Sequence, residues 1–100
     1  MPKKIFSYEE AAALLPQVQT MTTDAVAVID GLTDETPAEE YESVVQRWAT
    51  DVMSLGIEVK GLWLVDFDNG SGYYCWKHPE ESLQYFHGYE EGFTGRVKLQ

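Results

Sequence analysis

Residues 62–77 read LWLVDFDNGSGYYCWK, which is two runs of apolar and aromatic residues separated by a short polar turn. Apolar side chains at alternate positions within each run indicate β-strands, because successive side chains of a strand point to opposite faces. The turn contains Asn69 and Gly70, a pair that readily adopts the two positive φ angles of a type I′ turn. The stretch therefore predicts an antiparallel hairpin in which residues 62–67 pair with residues 73–77.

The register of this hairpin separates two kinds of side chain. A two-residue turn places Asp66 opposite Tyr73 and Trp63 opposite Trp76. We expect the more apolar face to belong to the core and the other face to be a mixed polar and aromatic surface. The core face carries Trp63, Val65, Phe67, Tyr74 and Trp76, and the mixed face carries Leu62, Leu64, Asp66, Tyr73 and Cys75.

Two flanking runs extend the hairpin into a meander. Residues 57–60 form a candidate first strand, and residues 82–87 follow the turn at Pro79 as the last strand. Both runs are short and bounded by glycine, proline or acidic residues, as strands often are. The sequence thus predicts three or four antiparallel strands.

The last strand has two possible registers. A five-residue loop puts Phe86 beside Tyr74 in the core and His87 beside Tyr73 and Asp66. A slip of one residue would exchange the two faces of the strand. We favour the first register, since it buries Phe86 and leaves His87 semi-exposed.

The first half of the chain shows helical periodicity. Ser7 and Glu10 have the spacing of a capping box, so a helix should begin immediately after Ser7. Pro16 predicts a kink or a restart in this helix, because proline removes one helical hydrogen bond. A second helix is expected with Thr36 as its N-cap and Pro37 in its first turn. The two apolar stripes are Leu14, Val18, Met21, Ala25, Val28 and Leu32, and then Tyr41, Val45, Trp48, Val52 and Leu55.

These elements predict the fold class and the assembly. Two helices with a short connection form an antiparallel hairpin, here over about residues 8–55. The expected fold is α+β, one domain over residues 1–100, with the helical hairpin packed on a small C-terminal antiparallel β-meander. This arrangement leaves apolar surface uncovered near Trp48 and Met53. We therefore expect a homodimer that pairs through the helical hairpin.

Composition limits the partners and the compartment. The net charge of −10 speaks against nucleic acid, because phosphate binding needs a basic surface. No run approaches the ~20 apolar residues of a membrane helix, so no membrane partner is expected. The single cysteine excludes an internal disulfide and fits a reducing, cytoplasmic location. No phosphate loop or nucleotide fingerprint occurs, and we expect no cofactor.

The mixed face of the hairpin is the candidate ligand-binding surface. In the favoured register Asp66 lies beside His87, and a carboxylate can orient an imidazole for acid–base chemistry. Arg96 follows a glycine-rich turn and can hold an anion. The simpler alternative is that Asp66 only satisfies the imidazole or the Tyr73 hydroxyl. The candidate residues are Asp66, Tyr73, Cys75, Tyr85, His87 and Arg96.

Metal binding and nucleophilic chemistry are weaker alternatives. His87 and Glu90 form a His-x-x-Glu pair that can bind a metal ion with Asp66 or Glu58, but one histidine with scattered carboxylates is a poor metal signature. Cys75 stands between two aromatic residues of a strand. That position is more typical of a packed small hydrophobe than of a nucleophile.

Short motifs also follow one another in a distinctive order. They are FSYEEA (6–11), LLP (14–16), VK (59–60), LVDF (64–67), YCWK (74–77), an aromatic before His87, and GFTGR (92–96). In this order they resemble the small bacterial family known as domain of unknown function 2203. Trp63 stands where that family usually has glycine, and Phe86 where it usually has tryptophan. The resemblance implies no particular activity, because the family has none established.

Two functions from different classes fit these observations. The favoured hypothesis is a non-enzymatic, self-associating module that binds a partner or a small ligand through Asp66, Tyr73, His87 and Arg96. The alternative is a small metal- or anion-dependent hydrolase or lyase that uses His87 with Asp66 or Glu90.

Overall fold

The computed structural model describes residues 4–99 and shows two helices followed by an antiparallel sheet. The elements are α1 (Tyr8–Asp30), α2 (Ala38–Met53), β1 (Glu58–Gly61), β2 (Leu64–Asp68), β3 (Tyr73–Lys77), β4 (Tyr85–His87) and β5 (Val97–Lys98). The strands lie in the sheet in the order β1-β2-β3-β4-β5. The predicted α+β fold is confirmed. The meander has five strands rather than three or four, because the two-residue β5 is too short to produce a sequence pattern.

Helix α1 begins with the expected capping box. The Ser7 hydroxyl accepts a hydrogen bond from the backbone N–H of Glu10 at 3.1 Å, and Glu10 Oε1 accepts one from the Ser7 N–H at 2.9 Å. The helix is continuous through Pro16 and does not restart there. At its end, the N–H of Gly31 donates to the Ala27 carbonyl. The expected start of α1 immediately after Ser7 is therefore confirmed.

Helix α2 begins one residue later than expected. Its N-cap is Pro37, which has no side chain able to cap the helix. The predicted N-cap, Thr36, instead accepts a hydrogen bond at Oγ1 from the Thr33 N–H at 3.0 Å. The threonine hydroxyl thus stabilises the preceding turn and leaves the helix uncapped.

A buried hydrogen-bond chain joins the two helices. The Trp48 indole N–H donates to Thr22 Oγ1 at 2.8 Å, and the Thr22 hydroxyl donates to the Val18 carbonyl at 2.7 Å. Trp48 is only 3% exposed, so it is a core residue and not the surface anchor expected for a second subunit. Met53, the other expected contact, is 51% exposed.

The first hairpin is offset by two residues from the predicted pairing. Val65 pairs with Trp76, and Phe67 pairs with Tyr74, because the turn has four residues rather than two. In this turn the Asn69 carboxamide oxygen accepts hydrogen bonds from the two N–H groups that follow Gly70, at 2.8 and 2.9 Å. A shift of two residues keeps the side chains of β2 and β3 on their expected faces.

Trp63 is the exception on this hairpin. It lies in the turn before β2, not in the strand, with a positive φ of 59°. Its ring is half-buried and packs edge-on against Trp48, with centroids 4.8 Å apart.

The second hairpin has the favoured register. Phe86 pairs with Tyr74, and His87 pairs with Tyr73. His87 is nevertheless 4% exposed rather than semi-exposed. The reason is that residues 88–96 fold back over this face of the sheet, an arrangement that strand periodicity does not reveal.

The sheet is covered on both faces. On one side Phe6 and Tyr8 pack edge-on against Phe67 and Tyr74, and the apolar core lies between sheet and helices. The other side carries polar side chains beneath residues 88–96. Within the described residues, no helix has the length and apolarity needed to cross a membrane.

Candidate functional site

A cavity of about 360 Å³ lies on the sheet face that turns away from the helices. Its floor is formed by side chains of β2, β3 and β4, and its walls come from β1 and from the segment 88–96. The lining residues are Lys60, Leu64, Asp66, Tyr73, Cys75, His87, Tyr89, Glu91, Gly92 and Phe93.

Asp66 and His87 form a buried pair on the cavity floor. His87 Nε2 lies 2.9 Å from Asp66 Oδ2, and His87 Nδ1 lies 2.9 Å from the carbonyl oxygen of Gly88. A carbonyl can only accept, so Nδ1 carries a proton and donates it to Gly88. In a neutral ring, Nε2 then presents a lone pair to the carboxylate. A contact of this length between two acceptors requires a proton or a cation.

The second oxygen of Asp66 is also unusual. Asp66 is 2% exposed, and its Oδ1 accepts no hydrogen bond from a nitrogen or oxygen atom of the described residues. The thiol of Cys75 is the neighbouring donor that interacts with this carboxylate. Burying a carboxylate without satisfying both oxygens costs free energy. Asp66 is among the residues that line the cavity, so its carboxylate is a candidate contact for a ligand there.

Cys75 completes a three-residue cluster with this pair. Its thiol is fully buried, and the donor atoms of Asp66, Cys75 and His87 all lie within 4.8 Å of one another. Burial raises the pKa of the Cys75 thiol to about 12, and the facing Asp66 carboxylate contributes to the increase. The isolated thiol is therefore protonated at neutral pH and is not an activated nucleophile.

Tyr73 and Lys60 form the polar wall of the cavity. The Tyr73 hydroxyl donates to Glu58 Oε1 at 3.3 Å, and Lys60 Nζ lies 3.0 Å from the same oxygen. Lys60 Nζ also lies 4.6 Å from the centre of the Tyr73 ring. This wall combines an aromatic face with one cation and one anion.

Arg96 and Tyr85 lie beside the cavity rather than in its lining. The Arg96 guanidinium stacks 4.0 Å from the ring centres of both Tyr85 and Phe93. It forms an ion pair with Glu80 at 2.9 Å and approaches Cys75 Sγ at 4.0 Å. The charge of Arg96 is thus already paired with Glu80. Its contact with the cluster is the approach to the Cys75 sulfur.

The cavity gathers four of the six predicted site residues and adds others. Asp66, Tyr73, Cys75 and His87 line it together. Glu90 is exposed and lies outside the lining, so it does not join His87 as a metal ligand in this structure. Sequence reasoning missed Lys60, Tyr89, Glu91, Gly92 and Phe93. The only signal for the last four was the glycine-rich turn, which has no strand or helix periodicity.

Fold and site together define a small α+β domain with a buried Asp–Cys–His cluster that faces a cavity. The chain belongs to the family described as "Uncharacterized conserved protein (DUF2203)", whose model matches residues 4–99. The family resemblance indicated by the short motifs is thereby confirmed. No curated protein and no solved structure matches the chain.

Proposed function

We propose that this protein is a non-enzymatic, cytoplasmic module that binds a small ligand in the cavity over Asp66, Tyr73, Cys75 and His87. Its volume of about 360 Å³ falls at the lower end of the range for small-molecule sites. Aromatic and apolar residues line the cavity together with charged groups such as Lys60 and Asp66, and small-molecule sites commonly combine the two kinds of residue.

The observation that carries this proposal is the buried carboxylate of Asp66 in the lining of the cavity. A carboxylate that is 98% buried lowers stability unless its oxygens are compensated, and Oδ1 accepts no hydrogen bond from a nitrogen or oxygen atom of residues 4–99. Groups that are costly for folding and face a cavity are candidates for function. A ligand that donates to Oδ1 would supply the missing interaction.

Arg96 has a supporting role in this proposal. Because Glu80 neutralises its guanidinium, we assign it no direct contact with an anion. Its stacking on Phe93 instead holds one wall of the cavity in place.

Nitrogen-15 NMR spectra with a set of small carboxylic acids, amides and imidazoles test the proposal. We expect at least one compound to shift the backbone amides of Cys75, His87 and Tyr89, and we expect Asp66→Asn to reduce that binding. The exposed Leu62 provides the control, since Leu62→Ala should leave binding unchanged. Compounds that shift only residues of the helical hairpin, or none at all, would contradict the proposal.

Self-association remains part of the proposal, with a revised contact. Trp48 is buried within the chain, whereas Val28 and Met53 on the helical hairpin are about half exposed. We therefore propose that the outer surface of the hairpin, including Met53, pairs in a homodimer. Light scattering should give twice the chain mass for the wild type and a lower mass for Met53→Lys. Leu62→Lys, at a similarly exposed position on the sheet, should remain dimeric, and a monomeric wild type would refute the dimer.

The buried pair favours one alternative function. Asp66 and His87 lie 2.9 Å apart at the base of a cavity, which is an arrangement suited to acid–base chemistry in a small hydrolase or lyase. Its test is turnover of p-nitrophenyl acetate and p-nitrophenyl phosphate by the wild type and by His87→Gln. Turnover that disappears with His87→Gln supports the enzyme, and turnover equal in both proteins counts against it.

A further inference from the structure

The three buried residues of the cluster come from three adjacent strands. Asp66 on β2 pairs directly with Cys75 on β3, and His87 on β4 pairs with Tyr73 on the same face. Side chains at such positions point in the same direction from the sheet. The sheet therefore delivers one carboxylate, one thiol and one imidazole to the same point.

The donor atoms are spaced for a single ion. Their mutual distances lie within 4.8 Å. A tetrahedral zinc site, with Zn–S of about 2.3 Å and Zn–N or Zn–O of about 2.0–2.2 Å, has donors roughly 3.3–3.8 Å apart. Two ligand atoms of the cluster, His87 Nε2 and Asp66 Oδ2, lie 2.9 Å apart, and all three donors lie within 4.8 Å, so the observed spacing brackets the spacing of a tetrahedral site.

His87 is already oriented as a metal ligand. Its Nδ1–H donates to the Gly88 carbonyl at 2.9 Å, and this bond directs the Nε2 lone pair toward Asp66 and Cys75. Histidines that bind metals usually donate their other ring N–H to a carbonyl or carboxylate in this way. The bond fixes both the ring position and the tautomer.

The Asp66 carboxylate is buried, and a cation bound beside it would compensate its negative charge. Asp66 Oδ1 accepts no hydrogen bond from a nitrogen or oxygen atom of the described residues, and its Oδ2 lies 2.9 Å from His87 Nε2, which is a donor in the imidazolium and an acceptor in the neutral ring. A cation between these atoms would satisfy both oxygens and the imidazole at once. The two side-chain cations near the cluster already have carboxylate partners, because Lys60 pairs with Glu58 and Arg96 pairs with Glu80.

We propose that Asp66, Cys75 and His87 bind one divalent transition-metal ion, zinc in the first place, on the floor of the cavity. A thiolate and an imidazole favour zinc over magnesium or calcium, which prefer oxygen ligands. On binding, the Cys75 thiol loses its proton to solvent and its sulfur bonds to the metal. The proposal rests on the proposed function, because it names the ligand class of that same cavity.

Three protein ligands leave one position of a tetrahedral ion open. Because all three ligands line the cavity, the remaining position would be open to a group that enters it. Open positions of this type hold water or a small ligand. The ion is thus the attachment point for whatever enters the cavity.

Cobalt(II) is the spectroscopic probe for the test. The full chain is freed of metal with a chelator and titrated with cobalt(II) in the presence of a reductant. We expect one equivalent to produce visible bands of tetrahedral cobalt and a near-ultraviolet thiolate-to-cobalt charge-transfer band. Zinc should then displace the cobalt, and calorimetry should show one zinc ion per chain with release of protons.

Variants identify the ligands. Cys75→Ser should abolish the charge-transfer band, and Asp66→Asn and His87→Gln should each weaken cobalt binding by about tenfold or more. Glu90→Gln is the matched control, since Glu90 is an exposed carboxylate three residues from His87. It should leave the spectrum and the affinity unchanged. Near-ultraviolet circular dichroism of each variant shows whether its tertiary structure is intact.

The cobalt titration of the wild-type chain can by itself contradict the inference, independently of the variants. No one-to-one complex, or a complex without the charge-transfer band, means that Cys75 does not bind metal here. Equal binding by all three variants would locate the metal elsewhere. If metal binding fails while small organic compounds still shift the amides of Cys75 and His87, only the metal inference falls. If neither binds, the proposed function falls as well.

Discussion

The backbone of Trp63 occupies a conformation that favours glycine. Its φ of 59° lies in the left-handed region, which costs a residue with a Cβ roughly 1–2 kcal/mol. The edge-on contact between Trp63 and Trp48 offsets part of that cost. The family resemblance pointed to the same position, since glycine usually stands there.

At most positions an alanine variant is more stable than a glycine variant. At position 63 we expect the opposite order of stability. Both Trp63→Ala and Trp63→Gly lose the contact with Trp48, but only alanine retains the cost of a positive φ. We expect Trp63→Gly to be more stable than Trp63→Ala by about 1 kcal/mol, measured from urea midpoints. At a position with negative φ, the alanine variant would be the more stable by about 0.5–1 kcal/mol. If Trp63→Ala proves more stable than Trp63→Gly, the backbone strain at this position is absent.

Position 72 requires glycine because neighbouring atoms leave no room for a Cβ, and not because of its φ angle. A Cβ at this position would lie 2.6 Å from the His87 carbonyl oxygen and 2.7 Å from Phe86 Cζ. Gly72→Ala must therefore push β3 and β4 apart, and we expect a loss of roughly 1–3 kcal/mol in the free energy of unfolding. Gly92→Ala is the control, because a Cβ there meets no atom within 4 Å. Similar urea midpoints for the two variants would contradict this account.

At the level of secondary-structure elements, the Thr22 hydroxyl provides a buried hydrogen bond between the two helices. Thr22→Val keeps the shape of the side chain but leaves the buried Trp48 N–H without its acceptor. We expect a cost of about 1–3 kcal/mol, the usual range for an unsatisfied buried group. In a Trp48→Phe background the same change should cost less, because the donor is already gone. Equal costs in both backgrounds would mean that the bond contributes nothing measurable.

The capping box of α1 gives the protein a specific response to acid. Hydrogen bonds from the backbone and side chain of Ser7 lower the pKa of Glu10. A pKa that is lower in the folded state stabilises the fold above the unfolded value of about 4.3, and this contribution is lost as pH falls through the folded value. Between about pH 5 and pH 3, the wild type should therefore lose more stability than Glu10→Gln.

Glu9→Gln provides the comparison for this experiment. Glu9 is also an acidic residue in the first turn of α1, so its removal tests the general effect of negative charge at the helix start. We expect Glu9→Gln to keep the acid response of the wild type. Denaturant titrations at each pH give the slope of the unfolding free energy against pH. Equal slopes for the wild type and Glu10→Gln would count against the role of the capping box in the acid response.

Sequence patterns predicted the elements better than their junctions. The 3.6-residue period placed both helices, and the alternation of side chains placed β2 and β3. The turn between these strands was misjudged because the Asn69 carboxamide bonds two N–H groups and lengthens it by two residues. Thr22 was missed because a polar side chain interrupts an apolar stripe, although it supplies the bond that joins the helices.

At the scale of the molecule, negative charge is concentrated in the helical half. Residues 5–55 contain ten carboxylates and one base, Arg47, within a chain of net charge −10. Raising sodium chloride from about 0.01 M to about 0.15 M shortens the screening length from about 30 Å to about 8 Å. We expect the melting temperature to rise, because repulsion among these carboxylates weakens. In a variant with Glu42→Gln and Asp51→Asn, the melting temperature should rise less with salt. A melting temperature of the wild type that falls with salt would contradict this explanation.

The candidate site was only partly predictable from sequence, for a reason that involves the whole fold. Alternation along β3 and the favoured register of β4 were enough to bring Asp66, Tyr73, Cys75 and His87 to one face. Their burial was not predictable, because it depends on residues 88–96 folding back across the sheet. A covering segment without periodicity leaves no pattern to detect, and the cluster's burial follows from it.

The order of the strands has a consequence for how the chain assembles as it leaves the ribosome. Each strand pairs with the strand made just before it, so the growing sheet gains one strand at a time at its newest edge. Sheets of this topology need no strand to insert between two others, and each newly exposed edge is covered by the next segment to emerge. His87 lies on the fourth strand and is made after Asp66 and Cys75, which pair with each other on the second and third strands. The chemistry of the cavity is therefore completed late in synthesis, once the residues that form the apolar core have emerged.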